Sequence, residues 1–387
     1  MSGKNPLRSI FLRGSVLIGL LLLAACTPRP VSVTQRYFWP PPPDTPKIEF
    51  LTFLQSDEDI VGVRRSRAEE IVFGRERARP LFRKPLSVAS RGDGRLFVSE
   101  AADGQVLVLD LKDHKIRSLL DPGGVNRKFR LAVGMAFAGP ERLLVVDSLE
   151  GEVVVFDRNE VETAKFGKGE LTRPVGIAVD NQRNLVYVVD IGGQDIAVFN
   201  LEGTLLRRFG KRGGGPGEFN YPLDAGLDPE GNLYILDAMN ARVQVFSPAG
   251  SYLRSFGERG TNPGSFQVPK ALAVSRFGQV FVTDSLAHDV KIFDYSGRYL
   301  MTLGGKSFAA SGRISPGGFY LPEGIAVDDQ GAIWVVDSLN RVIQKFQYLN
   351  DDYLQRHPIL PGEAYLPPDV APIAPEPVLP PAAVPEK

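Results

Sequence analysis

The sequence predicts an all-β fold: a six-bladed β-propeller of four-stranded antiparallel blades, with a disordered N-terminal tether and a disordered Pro-rich C-terminal tail. Three observations predict it. One spacing recurs six times along the 387 residues. Each recurrence divides into four short apolar runs separated by turn residues. Those runs are apolar on both faces, so every sheet needs cover on both sides, as neighbouring blades provide.

The spacing is clearest in three segments, Pro216-Gly217-Glu218-Phe219-Asn220-Tyr221-Pro222, Pro263-Gly264-Ser265-Phe266-Gln267-Val268-Pro269 and Pro316-Gly317-Gly318-Phe319-Tyr320-Leu321-Pro322. Fifteen residues beyond each final proline an aspartate closes an apolar run (Asp237, Asp284, Asp337), and nine further stands a phenylalanine (Phe246, Phe293, Phe346). The same ruler finds Pro85, Glu100 and Leu109, then Ala132, Asp147 and Phe156, and, with one extra residue, Pro174, Asp190 and Phe199. The six marker acids are 47, 43, 47, 47 and 53 residues apart, a period that points to a repeat architecture.

Within the fourth unit, Leu223 to Asp228 reads as the first strand and Pro229-Glu230-Gly231-Asn232 as its turn. Leu233 to Leu236, Val243 to Phe246 and Tyr252 to Phe256 follow as the other three. The sixth unit lacks a clear outer strand after Phe346. The isolated run Ile48 to Leu54 is predicted to complete it and close the ring, with Tyr353-Leu354 as the competing choice. Ser66 to Phe73 can form a short helix that Gly74 stops.

Residues 26–46 read as a tether stiffened by Pro40 to Pro43, residues 47–357 as the propeller, and residues 358–387 as an extended Pro/Ala-rich tail. Residues 1–25 have the form of a secretory signal: Lys4, Arg8 and Arg13, then an apolar run from Gly14 to Ala25. That run has 12 residues, short of the roughly 20 that span a bilayer. Its end, Leu23-Ala24-Ala25-Cys26, resembles the bacterial lipobox, which implies an acylated, palmitate-bearing Cys26 as mature N-terminus. Thr27 in place of aspartate implies sorting to the outer membrane of a Gram-negative cell envelope.

Composition narrows the function. Cys26 is the sole cysteine, so once it is acylated no disulfide, Cys-based metal site or thiol-linked haem is available. Without the signal the charges are 42 basic against 45 acidic, which gives no general surplus for a nucleic-acid partner. A monomeric protein with no cofactor and no metal is expected.

The pattern P-G-x-F-x-x-P, apolar strand, Asp, three residues, Asn and terminal Phe resembles the NHL repeat. Phe219, Pro222, Asp237, Asn240, Arg242 and Phe246 match it best, and the resemblance runs from about Pro85 to Phe346. It implies a six-bladed propeller with one loop-rich face, in a group whose members include protein-binding and RNA-binding domains and relatives of lyases and lactonases. It also implies envelope accessory proteins, some linked to electron-transfer machinery.

Candidate residues gather on the predicted loop-rich face. A marker acid repeated in every blade suits a structural role, accepting backbone N–H groups at a turn. Gly213-Gly214-Gly215 lacks a following G-K-[ST] and reads as turn, not phosphate cradle. Asp224, Lys270 and Glu323 break the small or apolar pattern after the first-strand prolines. They are expected to share the channel mouth, as a site or as a mutual ion-pair plug. His288 reads as an exposed loop histidine, with a catalytic base as the alternative. Asn240, Arg242, His288, Arg313 and Tyr320 are the exposed-loop candidates for binding.

The expected function is a lipid-anchored envelope binding scaffold that engages a protein or polysaccharide partner, with no catalytic residue assigned. The alternatives are a metal-assisted lyase or lactonase using Asp224, Glu323 and Asn240, and a structural part of an envelope or electron-transfer assembly.

Overall fold

The computed structural model describes residues 36–41, 43–62, 78–308 and 314–360. The signal segment, Cys26, the Ser66 to Phe73 helix, Arg313 and the tail from Pro361 lie outside the described residues.

Six antiparallel sheets correspond to the six predicted units: residues 85–118, 132–166, 174–209, 222–256, 269–303 and 322–348. The first five are four-stranded meanders. Blade 4, for example, runs Pro222–Leu227, Leu233–Asp237, Arg242–Phe246 and Tyr252–Phe256. Blade 6 has three strands of its own, Pro322–Val327, Ala332–Asp337 and Val342–Tyr348. Its fourth is the N-terminal strand β2 (Ile48–Leu54), which pairs from Ile48↔Tyr348 to Leu54↔Ile343. Closure therefore uses the N-terminal run. Tyr353 and Leu354 lie instead in a helix, Asp351–Arg356, whose first turn Asn350 caps by accepting the Tyr353 N–H at 2.9 Å.

The tether expected over residues 26–46 gives way earlier than its prolines suggested. Strand β1 (Tyr37–Trp39) adds a fifth strand to blade 6, pairing Tyr37↔Phe50 and Trp39↔Ile48. Burial explains the difference. Phe38 and Trp39 are buried, and Trp39 packs edge-on to Phe346 at 5.7 Å. Arg36 forks onto Glu49 at 2.6 and 2.8 Å, and the Tyr353 hydroxyl donates to the same carboxylate at 3.2 Å.

The core is a ring of inter-blade layers. Leu96, Val98 and Leu109 of blade 1 pack with Trp334, Val336 and Ile343 of blade 6, and five equivalent clusters fill the other seams. Second strands such as Leu233–Asp237 are buried throughout, which is why they read as apolar without alternation. Fourth strands such as Tyr252–Phe256 face water and are largely exposed. Every first strand carries a bulge just after its opening residue, with Pro222 opposite Asp237 and the register then shifted by Asp224.

Because Ile48 is buried in the closing strand, Ile48→Ala is expected to lower the unfolding free energy by about 2–5 kcal/mol. Tyr353→Phe removes a single hydrogen bond and should cost about 1 kcal/mol. Urea denaturation compares the two, and an Ile48 effect no larger than that of Tyr353 would contradict N-terminal closure.

Candidate functional site: the loop-rich face and channel mouth

The marker acids organise one face. In blades 1, 2, 3 and 5 the acid accepts the two N–H groups just before the first strand. Glu100 takes those of Arg83 and Lys84, both at 2.8 Å, and Asp190 those of Thr172 and Arg173, both at 2.8 Å. Asp147 and Asp284 do the same. Each acid thus ties the end of its second strand to the loop entering its own blade.

Blades 4 and 6 follow a second pattern. Asp237 accepts only the Asn220 N–H (2.7 Å), and Asp337 only that of Tyr320 (3.0 Å), from this loop. Tyr221 and Leu321 adopt φ of 53° and 58° and turn their N–H groups to the preceding blade. They meet Gln194 Oε1 at 2.8 Å and His288 Nδ1 at 3.2 Å. The second carboxylate oxygen then takes side chains. Asp237 Oδ2 accepts from Asn240 (2.8 Å) and Arg242 (2.9 Å), and Asp337 Oδ2 accepts from Asn340 (2.7 Å). Burial pushes the Asp337 carboxyl up to about 7 against these bonds.

These contacts revise three expectations. Asn240 and Arg242 are loop staples rather than exposed contacts: Asn240 also donates to the Gly213 carbonyl, and Arg242 to those of Gly215 and Glu218. His288 is buried, 6% exposed, and stacks on Tyr320 with ring centres 5.0 Å apart. Its Nδ1 accepts an N–H, so the proton of the neutral ring sits on Nε2. Desolvation lowers its pKa, Lys306 adds to the lowering, and Asp284 opposes it. Gln194 does the same job two blades earlier, which marks His288 as a structural acceptor. Arg313 lies outside the described residues.

The first strands line a central channel of about 520 Å³. One position beyond the opening residue stand Leu86, Val133, Val175, Leu223, Lys270 and Glu323. Lys270 Nζ is 3.4 Å from Glu323 Oε1, one ion pair in an otherwise apolar ring. Burial raises the Glu323 pKa and Lys270 opposes the rise. Asp224 is not part of that pair. It sits one position further along, at the bulge, where blades 2, 3 and 6 have Gly134, Gly176 and Gly324. There the blades touch. A Cβ at Gly176 would lie 2.7 Å from Asp224 Cα, and one at Gly324 would lie 2.6 Å from the Leu86 carbonyl. Asp224 bridges this seam by accepting the Leu272 N–H of blade 5 at 2.9 Å and its neighbour Ala225 N–H at 2.9 Å. Burial in the channel wall pushes its carboxyl up to about 7, and the two N–H groups oppose the rise. Among the described residues no three His, Cys, Asp or Glu side chains gather as a metal site would need.

Sequence reasoning missed the most distinctive feature of this face. Tyr221, Met239, Val268, Leu286, Phe308 and Leu339 are each 40–56% exposed, large apolar side chains on the loops of blades 4 to 6. They lie on neighbouring loops that hydrogen bonds and one ring contact tie into a crescent. Met239 N–H donates to the Asn220 carbonyl, Arg259 joins the Met239 and Gln267 carbonyls, and Phe308 packs on Tyr320 at 4.9 Å. Exposed Arg212, Arg259, Lys306 and Arg341 border it, and none forms a salt bridge with a carboxylate among the described residues. The available signal was positional: Met239, Leu286 and Leu339 each stand two residues past a marker acid, as does exposed Leu149 of blade 2.

Comparison with known proteins supports the fold. Residues 184–256 match a family model described as a 6-bladed beta-propeller. The chain is a six-bladed β-propeller. A structural genomics protein of unknown function from Bacteroides thetaiotaomicron is similar with TM-score 0.56 and 19% identity, over 69% of this chain and 70% of that one. A streptogramin B lyase aligns with TM-score 0.50 and 12% identity, over 68% and 93% of the two chains. The virginiamycin B lyase of Staphylococcus aureus aligns with TM-score 0.51 and 11% identity, over 78% and 99%. At these identities the likeness extends to the fold alone. No curated protein matches the chain.

Replacing His288 by Gln, the residue at the equivalent position of blade 3, should preserve the acceptor and leave stability at pH 8 within about 1 kcal/mol. A lowered folded pKa contributes stability above the unfolded value, about 6.5, that is lost as pH falls through the folded value. His288→Gln should therefore abolish that part of the acid-side loss in urea titrations from pH 8 to 5. Parallel curves for the two proteins would count against a neutral, buried His288.

Proposed function

We propose that the protein is a lipid-anchored cell-envelope scaffold whose loop-rich face binds a protein partner. The apolar crescent of blades 4 to 6 is the observation that carries this reading. Monomeric surfaces seldom gather large exposed aliphatic and aromatic side chains on adjoining loops without using them. Met, Tyr and Phe are enriched where proteins meet. Four cations with no carboxylate partner among the described residues border the patch, so the complementary segment is apolar and acidic. Aliphatic Met239, Val268, Leu286 and Leu339 suit protein contacts better than a polysaccharide. The NHL-like loop pattern agrees with a platform role, and the lipobox-like end at Cys26 supports anchoring, with the outer membrane as destination.

A second reading, lyase or lactonase chemistry in the channel, draws on one observation. Asp224 has a carboxyl near 7 in the channel wall, suited to proton transfer near neutral pH. Both its oxygens already accept backbone N–H groups at a blade seam, which suits a structural clasp equally well.

Met239→Asp with Leu286→Asp should reduce capture of the crosslinked envelope partner at least about tenfold, because each change places a charge in an apolar contact. Stability should change by less than about 0.5 kcal/mol, since both side chains are exposed. Arg259→Glu should weaken capture most at low salt. Leu253→Asp, on an outer strand, should leave capture intact. Equal capture by all four proteins would overturn the platform reading, whereas substrate turnover lost only in Asp224→Asn would establish the channel reading. Cys26→Ser should move the protein from the membrane to the soluble fraction.

A further inference from the structure

We infer that the crescent is covered in the resting protein by the chain's own Pro-rich tail, residues 361–387. The inference rests on the reading of the crescent as a docking surface and adds its resident occupant.

The chemistry required of a ligand is present in that segment. The crescent offers Tyr221, Phe308, aliphatic tips and the cations Arg212, Arg259, Lys306 and Arg341. Aromatic surfaces of this kind receive polyproline segments, whose stiff backbone loses little entropy on docking. The tail has nine prolines, among them Pro367-Pro368 and Pro380-Pro381. Between them stand Tyr365, Leu366, Val370, Ile373, Val378 and Leu379 as apolar contacts. Its charged side chains are Glu363, Asp369, Glu376, Glu386 and a lone cation, Lys387. Acidic and apolar in alternation, it complements the crescent in both respects.

Length permits the contact. The described chain ends at exposed Leu360, just past the Asp351–Arg356 helix, whose cap Asn350 donates to the Gln330 carbonyl at the end of blade 6 away from its marker acid; beyond the helix the Pro358 carbonyl accepts from Arg36 at the outer edge of that blade. A seven-residue strand such as Ile48–Leu54 spans about 23 Å, which sets the height of a blade. Twenty-seven residues at about 3.1 Å each reach roughly 80 Å, enough to round the rim of blade 6 and cross three blades. Tethering then supplies an effective concentration on the order of 1 mM, so a contact too weak to detect between molecules is populated within one. A partner must displace the tail. With a tail dissociation constant about a tenth of the effective concentration, its removal tightens partner binding about tenfold.

The full-length chain, carrying a photo-crosslinking residue at Met239, is irradiated at two dilutions and digested. The expected result is crosslinks to peptides within residues 361–387, in the same yield at both dilutions. Asp369→Lys with Glu376→Lys should deplete them, and the same probe at Leu300 on an outer strand should not form them. Deleting residues 361–387, which removes no part of the described propeller, should tighten partner capture about tenfold. Crosslinks whose yield rises with concentration would overturn the inference in favour of a second copy's tail. Crosslinks to lipid would overturn it in favour of the bilayer. If Met239 yields no tail peptide while Met239→Asp still abolishes partner capture, the inference fails and the platform reading survives. If capture is also indifferent to Met239, both fail.

Discussion

A sheet apolar on both faces has no stable place at a protein–water boundary, and this protein contains six of them. The solution is circular. Each blade hides its two faces against its neighbours, and Leu96 and Val98 of the first blade meet Trp334 and Val336 of the last, so no face is left over. Everything on the loop-rich face follows from that arrangement, because it holds the six marker acids, their loops and the channel walls in register around one axis. The acids contribute direction: each pins the loop entering its own blade to the end of the second strand, which fixes where the intervening residues emerge.

Most of the fold was legible because the ring is built by repetition. A proline (alanine in blade 2), an acid fifteen residues on (sixteen in blade 3) and a phenylalanine nine further (leucine in blade 1) identify the same three places in each sheet. The strand Tyr37–Trp39 escaped because the adjacent prolines dominate the local pattern, and its stability comes from tertiary burial of Phe38 and Trp39 rather than from propensity. The competing strand at Tyr353 fails for a local reason, since Asn350 caps a helix there.

The candidate site was less legible, and the first-strand bulge is a large part of the reason. Counting from the proline aligns Lys270 and Glu323 correctly, but Asp224 stands one position later, where the bulge shifts the register and the wall touches the next blade. Sequence distance alone does not reveal which side of a bulge a residue occupies. Asn240, Arg242 and His288 were misjudged for a related reason. Polar residues on a loop suggest exposure, yet here their hydrogen-bonding groups close that loop. Blades 4 and 6 share Gln244 and Gln344 at one ruler position, and both clamp a glycine-bearing loop by accepting and donating at once. That clamp separates two kinds of blade within one ring, blades 4 and 6 against blade 5, where Lys291 stands at the same position and pairs with Asp289.

The closing strand has a kinetic consequence. Ile48 pairs with Tyr348, three hundred positions later, so a strand made before any of the six blades is among the last to find its mate. Contacts of such sequence separation form slowly, because the intervening chain must order before they can be made. Until then blade 6 presents a raw edge along Val342–Tyr348, and the waiting Ile-Glu-Phe-Leu-Thr-Phe-Leu segment is itself prone to pair with other edges. Maturation of this protein is thus paced by the arrival of its far end, and chains interrupted before blade 6 are the ones most exposed to misassembly and to quality-control proteases.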